Sequence, residues 1–173
     1  MLQLLEEGHD DPHAQQVAQR ANVSVRTVFH HYEDIEGLYT EIVRDQVLRI
    51  SPLLAVVPQT RSTINKARQI VVMLDNIYSI AAPLRNGVRY SAAARGSQQI
   101  REILQQLRSN ISSQIQQSFV GELHEHRNPF DVVARIEAVT SFEMWDHFRR
   151  VQGSSRSATR AQMLTLLISE LGA

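Results

Sequence analysis

The fold is decided by residues 17–38, which read VAQRANVSVRTVFHHYEDIEGL. Apolar side chains recur at helical spacing on either side of a short polar break at residues 22–24. This spacing predicts one short helix over residues 12–21 and a second over residues 25–32, joined by a turn of about three residues. Two short helices joined in this way form the helix-turn-helix pattern.

Local signals support these boundaries. Asp11-Pro12 predicts a helix N-cap followed by proline at the first helical position. Asn22 is one of the few non-glycine residues that tolerate a left-handed turn. Ser24 and Asp34 are suitable caps for the second helix and for a longer third helix. On the second helix, we expect Val28 and Phe29 to lie in the core.

The rest of the chain is also predicted to be helical. Only 7 of the 173 residues are glycine and 5 are proline, which favours long helices with short connections. The apolar spacing predicts further helices over residues 61–82, 83–94, 98–124, 130–151 and 158–171. The predicted breaks are Ser51-Pro52, Pro58, Pro83, Gly96-Ser97, Asn128-Pro129 and Gly153-Ser154-Ser155. We therefore predict an all-α fold.

Composition narrows the class of protein. The chain is 43% hydrophobic and 21% charged, which is typical of a globular protein. It has no cysteine, which excludes disulfides and thiolate metal sites and fits a reducing compartment. The longest apolar runs are too short to span a bilayer, and the N-terminus lacks the features of a signal peptide. We expect a cytoplasmic protein with no membrane association.

The stretch quoted above resembles the tetracycline-repressor (TetR) family of one-component transcriptional regulators. Residues 21–24 (ANVS) are similar to the family's Ala-Gly-Val-Ser, and residues 27–29 (TVF) to its Thr-Leu-Tyr. An aromatic residue follows two histidines at 30–32, and residues 36–38 (EGL) match Glu-x-Leu. A weaker similarity covers residues 141–145 (SFEMW), a Gly-Ser break and a final leucine-rich helix.

The resemblance implies a two-domain regulator. Residues 1–44 correspond to the N-terminal helix-turn-helix domain, with a first helix shorter than is usual in the family. Residues 45–173 correspond to a helical domain that binds a small molecule and forms a homodimer. Such a protein binds a palindromic operator in double-stranded DNA, and most members repress transcription until an effector releases them.

The site residues are assigned on the same basis. In a helix-turn-helix, the start of the second helix meets base edges in the major groove, so Arg26 is placed to pair with guanine. The residues expected to contact DNA are Gln15, Gln16, Ser24, Val25, Arg26, Thr27, His30, His31 and Tyr32. The expected ligand-lining residues are Met73, Ile77, Tyr90, Ile111, Phe119 and Glu143. The expected dimer interface comprises Phe142, Trp145, Phe148, Met163, Leu166, Leu167 and Leu171, for which an intramolecular core is the alternative.

Charge favours a different hypothesis. Residues 1–45 contain three arginines, no lysine and nine acidic residues, whereas a DNA-binding module usually carries a basic face. Ile35 stands where family members often have a phosphate-contacting lysine. The alternative is therefore a helical dimer of the same fold that has lost DNA binding and binds a ligand or a protein.

Metal and catalytic sites are not predicted. His124 and His126 are two residues apart, which would direct them to different sides of a helix. His9 and His13 have a suitable spacing, but Pro12 interrupts any helix between them. No phosphate-binding glycine loop or nucleophile elbow is present. We expect no metal, no cofactor and no enzymatic activity.

Overall fold

The structure, a computed structural model, describes residues 1–54 and 60–173. Helices make up the regular secondary structure of these two ranges, and neither range contains a β-strand. The predicted all-α class is therefore confirmed. The helices are α1 (Leu2–Glu6), α2 (Ala14–Arg20), α3 (Val25–His31), α4 (Ile35–Leu54), α5 (Thr63–Tyr90), α6 (Ala92–Gly96), α7 (Gln98–Ser118), α8 (Val120–His124), α9 (Pro129–Val139), α10 (Phe142–Asp146) and α11 (Arg156–Leu171). A π-helical turn, His147–Val151, continues α10.

The chain divides into two units. The first comprises residues 1–50 and 80–107, and the second comprises residues 51–79 and 108–173. The predicted boundary near residue 44 lies close to the end of the first segment of the first unit. That unit nevertheless also includes the second half of α5, α6 and the first half of α7. The assignment of residues 1–44 as a separate domain stays a prediction.

Two apolar clusters form the core of the first unit. One cluster unites α1, α2, α3 and α4 through Leu4, Val17, Ala18, Val28 and Leu38. The other unites α1, α4, α5, α6 and α7 through Leu5, Tyr39, Val43, Leu84, Ala94 and Ile100. Because α1 contributes to both clusters, its two adjacent leucines join the α2–α3 segment to the rest of the unit.

The core of the second unit is partly aromatic. The rings of Tyr78, Phe142 and Trp145 lie within 6.0 Å of one another, centroid to centroid. The Tyr78 hydroxyl donates to the buried carbonyl of Thr140 at 2.6 Å. Helix α9 packs on α11 and on α8, while Met163 and Leu167 of α11 are fully buried.

Two prolines lie inside helices at positions where breaks were predicted. Helix α4 continues past Pro52 to Leu54, and α5 continues past Pro83 to Tyr90. A proline inside a helix costs about 3 kcal/mol. Ala81 and Leu84 on either side of Pro83 are buried, and this burial of apolar surface opposes the cost. The break predicted at Pro58 lies outside the described residues.

The break after α5 comes later than predicted. It lies at Ser91, whose hydroxyl accepts a hydrogen bond from the Ala94 N–H and so begins α6. The helix predicted over residues 98–124 is also divided, at Phe119 between α7 and α8.

Serine caps divide or extend the C-terminal helices. The helix predicted over residues 130–151 is interrupted at Thr140, because the Ser141 hydroxyl accepts from the Met144 N–H at 3.1 Å and starts α10. Ser155 caps the last helix, which begins at Arg156 rather than at residue 158. The break at residues 153–155 and the start of α9 after Asn128 are confirmed.

Candidate nucleic-acid interface

The α2–turn–α3 segment is fixed by backbone hydrogen bonds. After α2, the N–H groups of Asn22 and Val23 donate to the carbonyls of Gln19 and Ala18, at 3.2 and 2.9 Å. These two bonds form a Schellman motif, which requires a left-handed residue just after the helix. Asn22 supplies it with φ of 54°. The prediction that Asn22 takes a left-handed conformation in this turn is confirmed.

The caps on either side of the turn are only partly as predicted. The Ser24 hydroxyl accepts from the Thr27 N–H at 3.0 Å, and the Asp34 carboxylate accepts from the Gly37 N–H at 2.7 Å, as predicted. The Asp11 cap is wrong, because α2 begins at Ala14 with His13 as its N-cap. The side chain of Gln16 accepts from the His13 backbone N–H at 2.8 Å and so fixes this later start.

One face of α3 is directed away from the core. Val28 is buried, whereas Val25, Arg26, Phe29 and His30 are exposed. The prediction that Phe29 lies in the core is wrong, because it is 42% exposed. It follows Val28 by about 100° around the helix, which turns it toward the side of Val25.

The other predicted DNA-contact residues differ in exposure. Gln15, Ser24 and His31 are exposed, whereas Gln16, Thr27 and Tyr32 are half-buried. Tyr32 packs against the apolar cluster that contains Val28 and Leu38. The hydroxyls of Ser24 and Thr27 lie 2.8 Å apart. The structure therefore brings a polar hydroxyl pair to the start of α3, next to its exposed face.

Ion pairs reduce the positive charge available in this segment. Arg20 makes a two-pronged contact with the Glu7 carboxylate, and this hydrogen bonding lowers the pKa of Glu7 and raises that of Arg20. Arg44 is paired with Glu41. Among the described residues, Arg26 has no hydrogen-bond or ion-pair partner. It is therefore the arginine of residues 1–45 that is free to meet an anion.

The predicted ligand-lining residues differ in exposure and come from both units. Met73, Ile77, Ile111 and Phe119 are buried in the second unit, while Glu143 of the same unit is exposed. Tyr90 belongs to the first unit and is 47% exposed. The ligand-binding role of these residues stays a prediction.

A small cavity is present between α7, α8 and α9. It measures about 10 Å³, and Phe119 is the predicted ligand residue among those that line it. A space of this size holds about one water molecule, whereas ligand sites usually measure roughly 300–1,000 Å³. The cavity is therefore too small for an effector in this conformation.

Most of the residues predicted for the dimer interface are buried within the single chain. Leu166 is half-buried, whereas Phe142, Trp145, Phe148, Met163, Leu167 and Leu171 are all buried. The opposite face of α11 carries an exposed row of small uncharged residues at four-residue spacing, namely Ser157, Ala161, Thr165 and Ser169. A dimer formed through α11 would therefore use this outward face, and the interface stays a prediction.

Asp75 of α5 was missed by the sequence analysis. Its carboxylate is fully buried and accepts from the Trp145 indole N–H at 2.9 Å and from the Nε atoms of Arg156 and Arg160, each at 2.5 Å. Burial alone would raise the pKa of Asp75, but the hydrogen bonds from these three side chains outweigh it and lower that pKa. The available signal was an acidic residue in the apolar run 70–78, since a buried carboxylate requires partners.

A second ion pair joins α5 to α8. The Lys66 ammonium lies 2.9 and 3.1 Å from the two Glu122 oxygens, and the Thr63 hydroxyl donates to the same carboxylate at 2.8 Å. Burial opposes ionisation of Glu122, but these bonds lower its pKa. This group is a structural clamp within the second unit.

The described residues contain neither a metal site nor a membrane span. No three histidine, cysteine or acidic side chains there come close enough to hold a metal ion. None of the helices in these ranges is both long enough and apolar enough to cross a bilayer. Comparison with known proteins identifies no matching family model, curated protein or solved structure.

Proposed function

We propose that this chain is a DNA-binding transcriptional regulator of the TetR type. The observation that carries the proposal is the outward face of α3, where Arg26 is exposed and unpaired among the described residues, directly after a capped turn. In a helix-turn-helix protein, the N-terminal residues of the second helix contact base edges in the major groove. Arg26 has the position and the chemistry for such a contact.

The neighbouring side chains suit the same groove. An arginine guanidinium makes two parallel hydrogen bonds to the O6 and N7 atoms of guanine. Val25 and Phe29, exposed on the same face, offer apolar contacts of the kind that recognise a thymine methyl group. The hydroxyls of Ser24 and Thr27 are suited to a phosphate oxygen.

The resemblance extends the proposal to a homodimer on a palindromic operator, acting as a repressor that a small molecule releases. Two-fold dimers place two recognition helices about one turn of the DNA duplex apart, which matches an inverted repeat. The outward face of α11 supports this arrangement, because its row of small uncharged side chains permits close approach of a second helix.

The second candidate is a module of the same fold that does not bind DNA. The ion pairs of Arg20 and Arg44 favour it, because they engage two of the nine acidic residues within residues 1–45 and leave Arg26 to oppose the other seven. Nonspecific DNA affinity comes mainly from cations that neutralise phosphates, so such a segment would bind DNA weakly.

Fluorescence anisotropy distinguishes the two candidates. The protein is titrated against duplex DNA from upstream of its own gene and against a scrambled duplex, over a range of salt concentrations. The regulator predicts sequence-selective binding that weakens steeply with salt. Equal, weak binding to both duplexes would favour the module without DNA recognition.

Substitution of Arg26 tests the contact itself. We expect Arg26→Gln to weaken specific binding by about 1–3 kcal/mol, because a two-pronged base contact is lost. The matched control is Arg49→Gln, since Arg49 is an exposed arginine of α4 that is already paired with Asp45 at 2.9 Å. Equal affinity of the Arg26→Gln variant and the wild type would exclude Arg26 as a base-reading residue.

A further inference from the structure

Two arginines share one buried carboxylate in the second unit. The Nε atoms of Arg156 and Arg160 both lie 2.5 Å from Oδ2 of Asp75, and the other oxygen of that carboxylate accepts from Trp145. Because Asp75 is ionised and fully buried, this group holds two positive charges against one negative charge. Its net charge is therefore positive.

The two guanidinium groups are also held in a fixed orientation. The Nη2 atoms of Arg156 and Arg160 point to the same acceptor, Oδ1 of Asn76, at 2.6 and 3.4 Å. Each arginine thus uses its Nε edge on α5, and the two groups lie side by side. In the described part of the chain, no acceptor is found for the Nη1 atom of either arginine.

The outer edges of this pair face solvent. The side chain of Arg156 is 48% exposed and that of Arg160 is 33% exposed, although their shared carboxylate is fully buried. Residues 147–160 contain four arginines and no acidic residue. The nearest acidic residue in the chain before them, Asp146, is engaged by Arg150. Residues 147–160 therefore add positive and no negative charge beside the outer edges.

An ordinary structural ion pair in the same unit has a different ratio of cations to carboxylates. Arg135 of α9 pairs with Glu170 of α11 at 2.6 Å, so that one cation meets one carboxylate. If the charge of Asp75 only needed neutralising, a single arginine would do this, as Arg135 does for Glu170, and the Trp145 N–H would serve the other carboxylate oxygen. The second arginine adds a cation that the buried carboxylate does not require.

We propose that the outer edges of Arg156 and Arg160 form an oxyanion-binding site for the phosphate or carboxylate group of a small molecule. Planar guanidinium groups bind such groups through parallel, charge-assisted hydrogen bonds. Asp75 and Asn76 hold both forks in place, so little side-chain entropy is lost when the anion binds. The role of this anion as the effector of the regulator rests on the proposed function, whereas the site itself does not.

Trp145 provides a direct readout of binding. It is the single tryptophan of the chain, and its indole N–H donates to the carboxylate that positions both arginines. The protein, without DNA, is titrated with inorganic phosphate and separately with acetate, each against chloride at equal ionic strength. Trp145 fluorescence and titration calorimetry are recorded in parallel, so that a spectroscopically silent event is still detected.

The site predicts saturable binding of at least one of these anions beyond the effect of chloride. The tighter of the two identifies the ligand as phosphate-bearing or carboxylate-bearing. We expect Arg156→Gln and Arg160→Gln each to weaken binding about tenfold or more, since each removes a charge-assisted contact. Arg156→Lys keeps the charge but loses the fork, so its affinity should lie between those of the glutamine variant and the wild type.

Arg135→Gln is the matched control, because it removes one positive charge from the same unit at a one-to-one ion pair. Its anion affinity should equal that of the wild type. The proposal is overturned if neither anion gives a saturable signal by either readout, or if Arg135→Gln weakens binding as much as Arg156→Gln. DNA binding is measured separately by anisotropy, so failure of this site and failure of the proposed function are distinguishable.

Discussion

Tyr39 carries a buried hydroxyl that has no hydrogen-bond partner among the described residues. Burial, reinforced by the negative charge of Asp11 and only weakly opposed by the Ser91 hydroxyl, raises the pKa of Tyr39 to about 12. An unsatisfied buried hydroxyl contributes little to stability, because it has lost its bonds to water without replacement. Tyr39 is therefore a residue whose ring stabilises the core of the first unit and whose hydroxyl does not.

We predict that Tyr39→Phe is neutral or stabilising at neutral pH. In the wild type, the unfolded tyrosine ionises near its ordinary pKa of 10.0, whereas the folded one stays protonated up to about 12. Stability should therefore fall as the pH rises through this window, by about 2–3 kcal/mol, and the phenylalanine variant should lack this loss. Urea unfolding at pH 7 and above pH 10 measures both effects. A large loss of stability at pH 7 would contradict the prediction.

The contribution of Asp75 to folding stability has the opposite pH dependence. Its pKa is lowered in the folded protein, so the folded carboxylate binds fewer protons than the unfolded one in the acid range. Its contribution to stability is present above the ordinary aspartate pKa of 3.8 and is lost as the pH falls below it.

We predict that Asp75→Asn destabilises the protein by about 2–3 kcal/mol at pH 7, because the charges of Arg156 and Arg160 lose their buried partner. The difference from the wild type should shrink as the pH falls below the ordinary aspartate range. Asp45→Asn is the control, since it breaks an exposed pair with Arg49 and should cost little. Chemical unfolding at pH 7 and in acid would refute the account if the Asp75→Asn difference did not change with pH.

At the level of elements, the contact between α1 and α5 depends on a glycine. A methyl group added at Gly87 would lie 2.5 Å from Cδ2 of Leu5, which is closer than van der Waals contact allows. Leu5 is buried in the cluster that joins α1 to α4 and α5, so it has little room to move. Gly87 therefore permits α1 to pack on this part of α5.

We predict that the effect of Gly87→Ala on stability changes sign when Leu5 is replaced by alanine. In the wild type it should destabilise by about 1–2 kcal/mol, because overpacking exceeds the gain in helix propensity. In a Leu5→Ala background, the same substitution should stabilise by up to about 1 kcal/mol, because the clash is gone. Gly37→Ala in α4 is the control, since its added methyl would make an ordinary 3.5 Å contact with Asp34. A double-mutant cycle with no coupling between residues 5 and 87 would contradict this view.

The turn and two of the caps around α3 were predicted correctly because they depend on local hydrogen bonds, although the local caps at His13 and Ser141 were missed. Asn22, Ser24 and Asp34 each act on a neighbour within a few residues, so their roles follow from residue type and spacing. Pro83 was misjudged because the packing of distant residues outweighs its local cost. The Asp75 group could not be predicted either, since Arg156 and Arg160 are more than 80 residues away in sequence. Sequence spacing does not encode which distant cations meet a buried acid.

For the whole molecule, the burial of the predicted interface residues changes which surface we expect a dimer to use. The apolar residues assigned to the interface from sequence are mostly inside the single chain, which leaves the outward face of α11 for a partner. We predict that Ala161→Glu converts a dimer into a monomer, because it places a charge in an uncharged face. Gln105→Glu, at an exposed position of α7, is the control for added charge. Sedimentation velocity that gives the same mass for both variants and the wild type would exclude this face.

Selection of binding sites from a random duplex library by the wild-type protein tests directly whether α3 recognises DNA. We predict enrichment of an inverted repeat whose half-sites lie about 10 base pairs, or a multiple of this, from centre to centre. We also predict that Arg26→Gln relaxes the selection at one guanine in each half-site. A library that stays random after repeated rounds with folded protein would contradict the claim that α3 recognises DNA.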